Sequence, residues 1–120
     1  MSNYPAIVWG TRTISYGRLE QYITAVIKHL KGRGIASKDR IALIEPNSTE
    51  LVVVLLALWR MGVVACPLNP NWPYESLIQS IGQLSPKLIL TSQRPFHTTK
   101  KPSIPVIELK ELISFDARGI

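Results

Sequence analysis

Hydrophobic and polar positions along this chain fall into two periods. Leu19, Tyr22, Ile23, Val26, Ile27 and Leu30 recur at spacings of three and four, with Glu20, Gln21, Thr24, Lys28 and Lys31 between them. That spacing predicts an amphipathic helix with one buried face. Ser15 stands where an N-cap is needed, and Gly32 and Gly34 stand where the helix should stop. Tyr74, Leu77, Ile78, Ile81 and Leu84 repeat the helical spacing further along, up to the Ser85-Pro86 break. Between and after these segments lie short continuous apolar runs at residues 41–44, 63–66 and 88–90. Runs of that length, closed by Pro46 and Pro67, predict buried strands.

A third helical segment has a different character. Residues 51–59 are apolar without interruption, and the apolar character resumes at Met61 before Gly62 closes the helix. Asn47 with Glu50 three residues later has the form of a capping box. A helix that is apolar all round is normally covered on both sides. A chain of 120 residues offers little material for that second cover. Self-association through uncovered apolar surface and strand edges is the expectation.

Before these elements, Ile7-Val8-Trp9 and Arg12-Thr13-Ile14 flank Gly10-Thr11 and predict a short hairpin. Residues 92–105 are polar, basic and proline-containing, and predict a surface loop. One more short strand is expected within residues 104–109, and a helical turn within 108–113. Strands alternating with helices of ten or more residues imply parallel pairing. The predicted fold class is therefore α/β: a partial three-layer parallel-sheet subdomain of three to four strands and three helices, preceded by the hairpin.

Composition narrows the function classes. Hydrophobic residues make up 46% and charged residues 18%, a globular balance. The net charge of +6 raises nucleic acid as a partner, but the basic residues form one modest cluster, Lys28, Lys31, Arg33, Lys38 and Arg40. No aromatic residues interleave with them, so a solvated helix end is the better reading and no nucleic-acid partner is expected. The longest apolar run falls short of the ~18 residues a membrane span needs. No basic start followed by an apolar core opens the chain, so a cytoplasmic location is expected. Cys66 is the single cysteine and reads as a small buried core residue. His29 and His97 lie in polar segments, away from any partner that would make Cys66 a nucleophile.

Candidate chemistry is sparse. No glycine-rich phosphate loop and no metal-spaced His or Cys pair is present. Ser15 and Ser48 are better explained as helix starts than as nucleophiles. Thr91-Ser92 ends a predicted strand at the edge where α/β sheets bind ligands, a candidate binding position set against an ordinary turn. Asn69 lies at the same edge, where an asparagine beside proline suits a turn.

Two segments carry a family resemblance. Ile14-Ser15-Tyr16-Gly17-Arg18-Leu19 resembles the early motif of the adenylate-forming superfamily, with Arg18 where an acidic residue is usual. Leu58-Trp59-Arg60-Met61-Gly62-Val63-Val64-Ala65-Cys66-Pro67-Leu68-Asn69-Pro70 resembles its second core motif. Residues 34–47 and 73–91 continue the similarity, which covers about residues 7–91. The resemblance implies an enzyme that uses ATP and Mg²⁺ to turn a carboxylic acid into an acyl-adenylate and passes the acyl group to coenzyme A or another thiol. It implies that residues 1–120 are the N-terminal part of the large domain, with the catalytic remainder and the C-terminal domain elsewhere. No catalytic, cofactor-binding or metal residue is therefore assigned here, and the chain alone is expected to be inactive and to bind no cofactor. Asn69 and the Pro67-Leu68-Asn69-Pro70-Asn71-Trp72-Pro73 loop are similar to acyl- and aryl-CoA ligases, among them the o-succinylbenzoate–CoA ligases of menaquinone synthesis. The alternative is a stand-alone interaction module derived from such an enzyme.

Overall fold

The computed structural model describes residues 5–9, 12–46, 48–92 and 104–113. Strands β1 (Pro5–Trp9) and β2 (Arg12–Ser15) pair antiparallel as the expected hairpin. The chain continues through α1 (Tyr16–Gly32), β3 (Arg40–Ile44), α2 (Thr49–Met61), β4 (Val64–Pro67), α3 (Tyr74–Leu84), β5 (Leu88–Thr91), β6 (Val106–Ile107) and α4 (Leu109–Leu112). The last four strands form a parallel sheet in the order β4-β3-β5-β6. His97 and most of the predicted 92–105 loop lie outside the described residues.

Local chemistry sets the helix starts. The Arg18 N–H donates to Ser15 Oγ at 3.3 Å, and the Leu51 N–H to Ser48 Oγ at 3.0 Å. Each serine satisfies one of the backbone donors left open in a first turn. Ser48, not Asn47, caps α2; its extended backbone (φ −161°) puts Oγ within reach of the N–H three residues on. Asn47 lies outside the described residues. Gly62 ends α2 in the left-handed region at φ 74°, and its N–H returns to the Leu58 and Trp59 carbonyls.

Alternation along the strands divides the core in two. Ile41, Leu43, Leu88, Leu90 and Ile107 join one face with α1, α2 and α4. Ala42, Ile44 and Ile89 join the other face with Leu77 and Ile81 of α3. Helices on both faces make the three-layer arrangement of an open α/β sheet. Two ties fix its margins. Arg60 of α2 grips Glu20 of α1 with two hydrogen bonds of 2.9 Å, which lower the Glu20 pKa. Asp39, ahead of β3, accepts from the Ala36 N–H at 2.8 Å and from Lys87 Nζ at 3.2 Å, which lowers its pKa.

Two expectations need correction. β4 is not a buried strand: Val64 is exposed and Ala65 and Cys66 are half-buried. Its apolar run reads like a central strand, but among the described strands β4 is the margin of the sheet, with β3 on one side only. Cys66 is accordingly not a core residue. In α2, Val53, Val54, Ala57 and Leu58 are fully buried, while Val52, Leu55, Leu56 and Met61 are half-covered and Trp59 is 80% exposed. The second side of this helix is thus only partly covered among the described residues, in keeping with the shortage of covering material expected for it.

Candidate switch-point crevice

The sheet order fixes where a ligand crevice can form. From β3 the chain crosses through α2 on one face to β4, then through α3 on the other face to β5, which lies on the far side of β3. The direction of winding therefore reverses between β3 and β5. In open α/β sheets ligands bind outside the carboxyl ends of the strands at such a reversal. Here those ends carry Glu45 after β3 and Ser92 after β5. A crevice of about 340 Å³ opens there, lined by Ile44, Glu45, Pro46, Pro70, Asn71 and Ser92.

Glu45 is the chemical centre of this crevice. It is half-buried, and Ser92 Oγ donates to its Oε1 at 3.1 Å. Its Oε2 is shielded from solvent and has no hydrogen-bond partner among the described residues. Burial pushes the Glu45 pKa above its ordinary value of 4.5, against the side-chain and backbone hydrogen bonds with Ser92 that lower it. A carboxyl whose pKa is raised on folding holds more protons in the folded state. Its contribution to stability is complete below pH 4.5 and is lost as pH rises through the raised value. The urea midpoint of wild type should therefore fall relative to Glu45→Gln as pH climbs above 4.5; a difference that stays flat with pH would contradict the burial of this carboxyl.

Thr91 is buried at the end of β5 and Ser92 is exposed, so of this predicted pair the serine faces the crevice. Asn69 directs Oδ1 to the Asn71 N–H at 2.8 Å, and its carbonyl accepts from Trp72 N–H at 3.1 Å. Its side chain is engaged in shaping the loop, and Asn71 reaches the crevice instead. Ser15 and Ser48 sit at helix starts, and His29 accepts from Arg33 Nε at 3.0 Å within α1 and its cap. Glu45 was missed in the sequence because a glutamate between an apolar run and a proline reads as ordinary solvent-facing punctuation. Among the described residues, no group of three or more His, Cys, Asp or Glu is placed to hold a metal, and no helix is long and apolar enough to cross a membrane. The crevice does not suit a triphosphate: its described lining carries a carboxyl group and no cation.

Fold and crevice define an open parallel α/β unit with one winding reversal. The sequence pattern of the AMP-binding enzyme family matches residues 1–117, and the chain belongs to that family. It is 28% identical over 107 residues to a PKS-NRPS hybrid synthetase of Aspergillus candidus, covering 89% of this chain and 4% of that protein. It is 31% identical over 80 residues to a chondramide synthase of Chondromyces crocatus, covering 67% of this chain and 2% of that one. The chain thus spans a small part of these relatives. Among solved structures, VinN in complex with 3-methylaspartate superposes with a TM-score of 0.79 at 28% identity, over 92% of this chain and 31% of VinN. The NpsA N-terminal subdomain of Klebsiella oxytoca, bound to 3-hydroxyanthranilyl-AMSN, shares the fold with a TM-score of 0.79 at 21% identity, over 92% and 28% of the two chains. The chain is the N-terminal segment of an AMP-binding domain and a piece of the adenylate-forming superfamily's architecture.

Proposed function

We propose that residues 1–120 serve as a scaffold segment of an enzyme that converts a carboxylic acid to an acyl-adenylate with ATP and Mg²⁺ and transfers the acyl group to a thiol. The family match over residues 1–117 is the observation that carries this reading. The sequence holds no phosphate-binding glycine loop, and the crevice lining offers a triphosphate a carboxyl group where it needs cations. In this reading phosphate and metal binding, and the acid's pocket, are supplied by other parts of the domain. The similarity of the loop at residues 67–73 to acyl- and aryl-CoA ligases supports coenzyme A as the acyl acceptor, and o-succinylbenzoate as one acid. The relatives named above are synthetases of the peptide and hybrid type, which supports adenylate formation in general rather than CoA ligation in particular. A cytoplasmic location suits this chemistry.

A second reading, an interaction module, is favoured by one surface. The half-covered Val52, Leu55 and Leu56, the exposed Trp59 and the open margin of β4 leave apolar area and backbone hydrogen-bonding groups uncovered. Both readings are tested on the isolated chain by titration calorimetry with Mg·ATP and by sedimentation over a range of concentrations. The expected result is no ATP binding at micromolar levels and no adenylate formation, with reversible dimerisation at high concentration. Adenylate formed by this chain alone would overturn the placement of the site. A strict monomer at every concentration would remove the interaction reading.

A further inference from the structure

Glu45 and Ser92 stand where the β3–β5 ladder ends. The last register pair is Ile44 with Thr91, and Glu45 and Ser92 are the next residues out. Past the ladder the two strand ends are tied by side chains, with Ser92 Oγ donating to Glu45 Oε1 at 3.1 Å. The other carboxyl oxygen is sealed from solvent and meets no donor among the described residues. Both residues line the crevice of about 340 Å³.

The two protonation states fare differently in this arrangement. A neutral carboxyl keeps the Ser92 bond and brings no charge to the sealed position. An ionised one shares its charge with an oxygen that has neither solvent nor donor, which is costly. No cation in the described lining offsets that cost. Ile44 and Pro46 at the exit of β3, Pro70 and Asn71 after β4, and Ser92 after β5 carry no charge. Burial and Ser92 are the influences on the Glu45 carboxyl, and no neighbouring charge among the described residues is one of them. Glu45 is only half-buried, so a rotation of its side chain suffices to bring the carboxylate into water.

We propose that Glu45 and Ser92 form a pH-sensitive latch: the neutral carboxyl ties the ends of β3 and β5 together, and the ionised carboxylate turns into solvent, releases Ser92 and opens the crevice. Opening gives one proton to solvent and closing takes one up. Burial raises the Glu45 pKa above its ordinary 4.5, so the latch is closed below the raised value and open above it. The latch does not rest on the adenylate-forming reading, because neither residue is assigned a part in ATP or acyl chemistry.

The test is NMR on the full 120-residue chain over about pH 4–8, following the Glu45 carboxyl ¹³C shift and hydrogen exchange at the Ser92 amide. The carboxyl should titrate with a midpoint above 4.5. The Ser92 amide, corrected for its intrinsic exchange rate, should lose protection across the same midpoint. Glu45→Gln copies the neutral carboxyl and should keep Ser92 protected throughout. Ser92→Ala separates the latch from a carboxylate that stays in place, and holds the test open if the glutamine variant fails to fold. A fixed carboxylate that loses a donor to its charged form would titrate higher. In the latch the lost bond belongs to the neutral, closed form, so the midpoint should fall towards 4.5. A wild-type midpoint at or below 4.5, Ser92 protection that is unchanged across the midpoint, the same loss of protection in a folded Glu45→Gln, or a midpoint raised by Ser92→Ala would each overturn the latch.

Discussion

Leu58→Ala should lower the free energy of unfolding by about 2–5 kcal/mol, the range for truncating a fully buried leucine. Leu58 has no exposed surface and lies in the larger core, between the sheet and the paired helices α1 and α2. Its backbone carbonyl also receives the N–H groups of Gly62 and Val63 at the helix end. Removing the side chain leaves a cavity that β3 and β5 cannot fill, because their own side chains are already committed to both faces of the sheet. Domains of this size are stable by only about 5–15 kcal/mol, so the variant should lie near its unfolding threshold. Trp59→Ala, one residue on, should be close to neutral, because Trp59 is 80% exposed. Urea unfolding followed by circular dichroism measures both, and similar losses at the two positions would show that the packing of α2 is misassigned.

Gly62→Ala should be destabilising by about 1–2 kcal/mol through its backbone alone, since a Cβ at left-handed φ crowds the neighbouring carbonyl. The residue's φ is 74°, and the turn it makes sends the chain from α2 into β4. A Cβ there would also stand 2.8 Å from Ser37 Oγ. That oxygen is on an exposed side chain and can rotate away, so the backbone term dominates. Introducing Ser37→Ala beside Gly62→Ala should restore only a minor part of the loss. Gly82 is the contrast: it sits inside α3 with nothing within 4 Å of a Cβ, and Gly82→Ala should raise stability by about 0.5–1 kcal/mol. A Gly62→Ala variant as stable as wild type in the same urea series would mean that the turn rearranges without cost.

The core of the larger face was legible in the spacing of Leu19, Ile23, Val26 and Leu30 and in the run at residues 41–44, because both patterns match a single period of their element. The crevice was partly legible. Thr91-Ser92 was marked through the edge rule for α/β sheets, whereas Glu45 carries no periodic or motif signal. Its character arises from Ser92, forty-seven residues away, and from the loop through Pro70 and Asn71. The same limit explains Cys66 and Val64: a run of apolar residues specifies a strand, not whether a neighbour lies on each side of it.

The sequence by itself determined the elements, their order, the parallel pairing and the family, because periodicity, caps and motif spacing are local properties of the chain. Only the tertiary structure decided that β4 is a margin among the described strands, which residues of α2 are left uncovered, and that winding reverses between β3 and β5. Those are consequences of which strands lie side by side, and sheet order depends on long-range packing that no local pattern encodes.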